Sequence, residues 1–440
     1  MSCKTAVSWL LSVLTLICIP ALAHAQEAAT AINAADTVWV LVSAALVMLM
    51  VPGLAFFYSG MVHSNNVVAT IMHSYMKLCT ITLVWVLWGY SLAFGQSHGG
   101  LIGGFDFLGF VGVGQEALSE DVQVPHYIFA MFQGMFAIVT AAIITGAFAE
   151  RVRLGPILIF STLWITVVYA PVAHWVWGGG WIATQLEALD FAGGAVVHIN
   201  SGVAGLIAAL ILGRRIRLKA SDEETRPHNL PLVVLGASLL WFGWFGFNAG
   251  SALGANGLAA LAFANTAIAG AAGGFGWFAV ELFHKQRSTA IGIISGSVAG
   301  LVSITPAAGF VTPLASIAIG LIGSVICYWA VMMIKPRFGY DDSLDAFGIH
   351  GVGGLWGALA TGIFATTAVN EGGANGLLYG GSDLFVAEVL ASLAVIAYSA
   401  VATYAVLQVL RLFVKVRVSE EEEAKGLDAT QHGEVGYVLS

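Results

Sequence analysis

Two histidines lie in long apolar segments and share one glycine frame. His198 stands in AGGAVVHINSGVAGLIAAL and His350 in DAFGIHGVGGLWGALATG, and each is followed by glycine four and seven residues on: Gly202 and Gly205, then Gly354 and Gly357. An ionisable ring in the middle of a membrane span is costly and marks a functional site by default. A neutral imidazole carries one donor and one acceptor, so a pair of them suits a small polar solute or a proton relay. The alternative is a packing role, with each ring satisfied by a backbone carbonyl; the duplicated frame favours a polar point in a pathway. Neither histidine has a cysteine or carboxylate at short ligand spacing, so neither a metal nor any other cofactor is expected.

A second group is aromatic: Phe132-Gln133-Gly134-Met135-Phe136, His174-Trp175-Val176-Trp177-Gly178, and the run from Trp244 to Ser251. Phe132 and Phe136 are one helical turn apart and share a face. A tryptophan face attracts a partly dehydrated cation, worth about 2 kcal/mol or more once desolvated. The Ser251 hydroxyl can accept a hydrogen bond from a cation that has protons to give, which an alkali ion lacks. Trp39, Trp175 and Trp181 are assigned instead to an interfacial aromatic belt. Asp190 and Asp345 stand just before the two histidine segments, where a helix-capping carboxylate belongs. Asp190 also has the sign to support an outer cation site.

The elements that must hold these residues are membrane helices. Of 440 residues 58% are hydrophobic and 10% charged, and 53 are glycine, a composition foreign to a soluble globular chain. The net charge of -8 provides no basic footprint for nucleic acid. Lys4, the run WLLSVLTLICIPAL and Ala23-His24-Ala25 have the form of a cleavable signal peptide, residues 1–25. Cys3 and Cys18 leave with it, and Cys79 and Cys327 lie in apolar runs, so no disulfide framework is expected.

The mature chain reads as an all-α integral membrane protein of eleven spans, near 37–60, 67–95, 126–149, 154–177, 193–213, 231–250, 258–283, 288–304, 313–334, 346–368 and 383–412. Links 96–125, 178–192, 251–257, 305–312 and 369–382 hold no Lys or Arg. The alternate links carry Arg151 and Arg153, then Arg214, Arg215, Arg217, Lys219 and Arg226, then Lys285 and Arg287, then Lys335 and Arg337, while Arg411, Lys415 and Arg417 close the last span. The first of these alternate links, 61–66, is uncharged. The positive-inside rule therefore puts the amino terminus outside and the tail in the cytoplasm. Lys77 falls within the second span and has no explanation at this level. Five spans plus five plus one places His198 in the fifth and His350 in the tenth. Because five is odd, the halves form an inverted repeat with both histidines near the midplane. The Phe-rich runs Phe56–Gly60 and Phe245–Gly250 give it weak further support. The membrane domain then covers 26–417, and 418–440 is a polar tail that by composition is disordered and solvated.

The segments DFAGGAVVHINSGVAGL, WFGFNAGSA, FQGMFAIVTAAIITGAFAER and DDSLDAFGIHGVGG, with GLDATQHGE in the tail, closely resemble the signatures of the Amt/Mep/Rh family of ammonium transporters. Trp177 and the run Asn248 to Ser251 resemble its bacterial Amt branch. The resemblance implies an outer recruitment site at Phe132, Phe136, Trp177 and Ser251, with Asp190 beside it. It implies a gate of two stacked rings, Phe136 and Phe247, above a hydrophobic pore lined by His198 and His350. It further implies a homotrimer with one pore per subunit in the bacterial cytoplasmic membrane. A PII-type (GlnK-like) signalling protein would cap the inner face, with the tail packing across subunits.

Ammonium and potassium are close in size and charge, but only ammonium donates hydrogen bonds and can release a proton to leave a small neutral molecule. An apolar stretch admits that molecule and excludes the bare ion. The expectation is an ammonium transporter that recruits the cation, deprotonates it and conducts ammonia past the histidines, with or without a separately relayed proton. A sensor signalling through a PII-type protein is the alternative, although the tail is too short for a signalling domain of its own. A secondary transporter of another solute would call for broken helices and charged midplane partners. An enzyme is not expected, for no nucleophile–base or metal motif appears.

Overall fold

The structure, a computed structural model, describes residues 31–216 and 227–438. The signal peptide expected at 1–25 and the basic residues Arg217, Lys219 and Arg226 lie outside them. The apolar runs fold into helices that we number α1 (Ala34–Met61), α2 (Val67–Phe94), α3 (His126–Phe148), α4 (Leu154–Leu186), α5 (Gly194–Leu212), α6 (Leu230–Gly250), α7 (Gly257–Lys285), α8 (Ala290–Ile304), α9 (Pro313–Phe338), α10 (Phe347–Phe364) and α11 (Asp383–Phe413). Ten are long and apolar enough to cross a membrane; α8 is shorter. Its 15 residues reach only about 22 Å at the helical rise. The one sheet among the described residues is a pair of two-residue strands, Ser97–His98 and Ile102–Gly103.

Small residues govern how the helices meet, as expected where lipid offers no hydrophobic drive for association. The most extensive pairing joins α1 to α6. It brings backbones together closely enough that a Cβ on Gly236 would stand 2.2 Å from the Phe57 nitrogen. Lys77 is fully buried, and its ammonium donates to the His73 carbonyl one turn back at 2.9 Å. Trp175 departs from its assignment to an interfacial belt. It is buried, its ring 4.7 Å from Tyr398 and 5.7 Å from Trp181, and its indole N–H donates to the Leu101 carbonyl.

Both histidine-bearing helices begin irregularly. Gly194–Ile199 and Phe347–Gly351 are wound as π-helix, a form that recurs at functional sites. The Asp190 carboxylate accepts from the N–H groups of Gly193, Gly194, Ala195 and Val196 at 2.5–3.1 Å, the cap expected of it. Asp345 does not cap α10. Asp342 does, accepting from the N–H groups of Ala346 and Phe347 at 3.1 and 2.7 Å. Asp345 instead has φ +59° and pairs with Lys335 at 2.6 Å. Asp342 precedes His350 by eight residues, as Asp190 precedes His198. Proximity to the start of the helix had suggested the wrong aspartate. Burial pushes both capping carboxyls up, Asp342 to about 6, against the pull of their N–H donors.

The tail is ordered over its described residues, 418–438, in contrast to the expectation from its composition. A short helix α12 (Glu420–Lys425) starts at a capping box between Ser419 and Glu422. Glu423 accepts from the Ile216 N–H and from Arg417, and Arg153 pairs with Glu422. Asp428 accepts from the Ala69 N–H at 2.8 Å, in the first turn of α2. These contacts lay the tail along the basic ends of the helices.

Candidate functional site

The π-turns bring the two histidines face to face. Their ring centroids are 5.2 Å apart with planes 24° from parallel, and the Nδ1 atoms stand at 3.2 Å. The glycines four residues on make room reciprocally. A Cβ on Gly202 would meet the Gly351 nitrogen at 2.2 Å, and one on Gly354 would meet the His198 Cβ at 2.8 Å. Trp244 stacks on the far side of His198 at 5.5 Å, anchored by its N–H on the Thr305 hydroxyl. Both histidines line a cleft of about 10 Å³ walled by Met50, Leu54, Val139 and Leu240, close to the limit for one water-sized molecule. The His198 Nε2 is buried and has no hydrogen-bond partner.

Toward the end of the molecule poor in basic residues, two phenyl rings follow. Phe247 lies 6.0 Å from His198 and 4.3 Å from Phe136, whose ring is tilted 32° to it. Phe136 in turn meets Trp177 edge-on at 5.7 Å. Phe136, Trp177 and Ser251 line a pocket of about 400 Å³ open at that end, with Gln133, Phe191 and Leu253. The Ser251 hydroxyl donates to the Phe247 carbonyl at 2.9 Å, which leaves its oxygen free to accept. Phe132 is fully buried behind Phe136, at 5.0 Å and 79°, and does not line the pocket. Nor does Asp190, whose carboxylate is turned to the start of α5; its carbonyl accepts from the Trp177 indole N–H at 2.9 Å.

On the opposite side of the histidines, Phe57 lines both their cleft and a vestibule of about 850 Å³ at the basic end, with Ile349 in the vestibule wall. Most of its charged wall is paired: Lys335 with Asp345, Lys285 with Glu281, Arg215 with Asp341; Arg214 also lines it. Sequence reasoning missed Asp342 and the Thr305 anchor of Trp244. The eight-residue spacing from aspartate to histidine was the available signal for the first; nothing local signals the second.

A sequence model of the Ammonium Transporter Family matches residues 38–437. The chain belongs to the ammonium transporter family. It is 54% identical over 402 residues to an ammonium transporter of Bacillus subtilis, covering 91% of this chain and 98% of that one. Among solved structures it superposes on Mep2 of Saccharomyces cerevisiae with TM-score 0.84 at 38% identity, covering 93% of each chain. It also superposes on a protein described as a sensor Amt protein, with TM-score 0.81 at 30% identity, covering 90% of this chain and 98% of the other. The transporter is thus a multi-pass membrane protein of a family of transporters, not of enzymes.

Proposed function

We propose that the chain recruits ammonium at the pocket of Phe136, Trp177 and Ser251, strips it of a proton and conducts ammonia past Phe136 and Phe247 and along His198 and His350 to the vestibule. The observation that carries this reading is the order of the groups along one line: cation-binding ring and hydroxyl, two stacked phenyl rings, paired imidazoles in an apolar cleft, charged vestibule. The pocket supplies a π face and a free acceptor, which ammonium uses and potassium uses only in part. The cleft supplies hydrogen-bonding edges but little room for a hydrated ion. Phe132 backs the ring of Phe136, and Asp190 acts on the site through Trp177. The proton crosses with the ammonia or separately.

In this reading the chain is an eleven-span inverted repeat with its amino terminus outside and its tail in the cytoplasm of a bacterial inner membrane. It assembles as a homotrimer surrounded by lipid, and a PII-type protein binds its inner face. Capture of PII that is indifferent to deletion of residues 418–440 counts against a part for the tail. A sensor function is the second reading, supported by the likeness to the sensor Amt protein.

The deciding experiment is an ammonium jump across proteoliposomes, with potassium as control and lumenal pH followed alongside. An ammonium-specific current means that net charge crosses. Protein-dependent alkalinisation without current means that neutral ammonia crosses alone. Neither signal, from folded protein, removes the transport reading in favour of the sensor.

A further inference from the structure

The proposed transport path makes no use of the buried acid Glu388. Glu388 lies in the second turn of α11, with neighbours Val386, Ala387, Val389 and Leu390, and it is 3% exposed. A carboxyl side chain in such a segment is costly unless it does something. Its Oε1 accepts from the backbone N–H of Leu189 at 2.7 Å, across 199 residues of sequence. Leu189 belongs to the irregular link between α4 and α5, where Glu187 has φ +55° and no helix or strand supplies an acceptor. The next residue is Asp190, whose carbonyl holds the Trp177 indole N–H and whose carboxylate caps the π-turn that carries His198. The residue after that, Phe191, lines the outer pocket and is tied to the Pro306 carbonyl at 3.1 Å.

We propose that Glu388 is a positioning residue for the outer cation site: its side-chain oxygen holds the Ala188–Leu189 peptide and so steadies the turn through Asp190, whose carbonyl sets the plane of Trp177. The inference rests on the reading of Trp177 as part of the recruitment site. What the position demands is an acceptor at the reach of a glutamate, not a negative charge.

Two near-isosteric variants separate these demands. Glu388→Gln keeps the reach and an acceptor oxygen and removes the charge; Glu388→Asp keeps the acid and withdraws the oxygen by one methylene. In methylammonium uptake by proteoliposomes, Glu388→Gln should hold KM within about twofold of the parent. Glu388→Asp should raise KM about fivefold with Vmax within about twofold, the size of one weakened contact to the cation. The reverse order, or an unchanged KM in Glu388→Asp, overturns the proposal. Trp177→Leu, run in parallel, tells the two layers apart. If it raises KM while Glu388→Asp does not, positioning alone fails; if it leaves KM unmoved, the recruitment site and this inference fall together. Unfolding temperatures in detergent accompany each variant, and a variant that unfolds early with KM unchanged marks Glu388 as a stability residue only, which also overturns the proposal.

Discussion

The Nδ1 atoms of His198 and His350 stand 3.2 Å apart, each buried and each on a helix begun by an aspartate cap eight residues earlier. A hydrogen bond at that distance needs one proton between two nitrogens, so a neutral pair must hold opposite tautomers. The ring that donates through Nδ1 has a bare Nε2, and the ring that accepts carries its proton on Nε2. The pair therefore turns one acceptor and one donor edge outward within an apolar cleft. That arrangement can pass a molecule which both gives and receives hydrogen bonds, and it can carry a proton by exchanging tautomers.

His198→Ala removes one edge and leaves the His350 Nδ1 without its partner. An unmet buried polar group costs about 1–3 kcal/mol, so ammonium flux or ammonium-over-potassium selectivity should change by about fivefold or more. Proteoliposome currents with both ions measure it. Unchanged rate and selectivity would eliminate the relay.

Trp177→Leu and Ser251→Ala address recruitment separately from conduction. Loss of a partly desolvated cation–π contact, between the exposed and the desolvated limits at about 1–2 kcal/mol, should raise the KM for methylammonium about five- to thirtyfold. Ser251→Ala, which removes an acceptor but leaves the ring, should give a smaller rise. Vmax at saturating substrate should hold in both, because neither residue lines the histidine cleft. A fall in Vmax with KM constant would place these groups on the conduction step.

Gly202→Ala tests the close approach that aligns the rings. The added Cβ would stand 2.2 Å from the Gly351 nitrogen and 2.4 Å from its Cα, atoms of backbone that cannot rotate aside. Overpacking of this kind costs about 1–3 kcal/mol, and here the strain falls beside His350. Folded protein should be recovered with a lower unfolding temperature and strongly reduced uptake. Gly155→Ala, where a Cβ meets nothing within 4 Å, is the matched control and should behave as the parent.

Much of this site could be read before any coordinates. The apolar runs matched α1 to α11 to within a few residues, except that α4 runs on to Leu186, because length and hydropathy are set by the bilayer itself. The shared glycine frame of His198 and His350 marked the pair, since both glycines answer one packing problem twice. Of the four residues that the resemblance grouped, Phe136, Trp177 and Ser251 line one pocket and Phe132 stands behind it. What stayed hidden depends on contacts distant in sequence. Asp345 was nearer to its helix than Asp342, and only the fold shows that its backbone turns left-handed there toward Lys335. Trp175 had the composition of an interfacial residue, yet α11 covers it through Tyr398. The tail looked solvated because its glutamates are many, but Glu423 and Asp428 spend their charge on N–H groups and on Arg417.

The basic end should be sensitive to acid. Arg215 bridges Glu150 and Asp341, and both carboxyls are largely buried. Burial alone would raise them, but the Arg215 guanidinium outweighs it, with the His63 N–H and Asn66 aiding at Glu150 and Arg151 aiding at Asp341, so both lie below their ordinary values of 4.5 and 3.8. A carboxyl depressed in the folded state contributes stability that is present above its unfolded value and lost as pH falls through the folded one. The stability that these two groups supply should thus hold from neutrality to about pH 5 and be lost below about pH 4.5 as they take up protons. Asp342, raised to about 6, works in the opposite sense, so the pair is read from the difference in unfolding temperature in detergent between the parent and an Arg215 variant. Arg215→Ala leaves buried Glu150 without its cation and Asp341 with Arg151 alone, at 3.6 Å, and should cost about 3–5 kcal/mol near neutral pH. Acid should then relieve part of that loss, since protonation discharges the two carboxylates. The variant's stability should therefore rise relative to the parent as pH is lowered toward 4. A constant gap between the two across that range would mean that Arg215 holds the α5 end by packing and not by its charge.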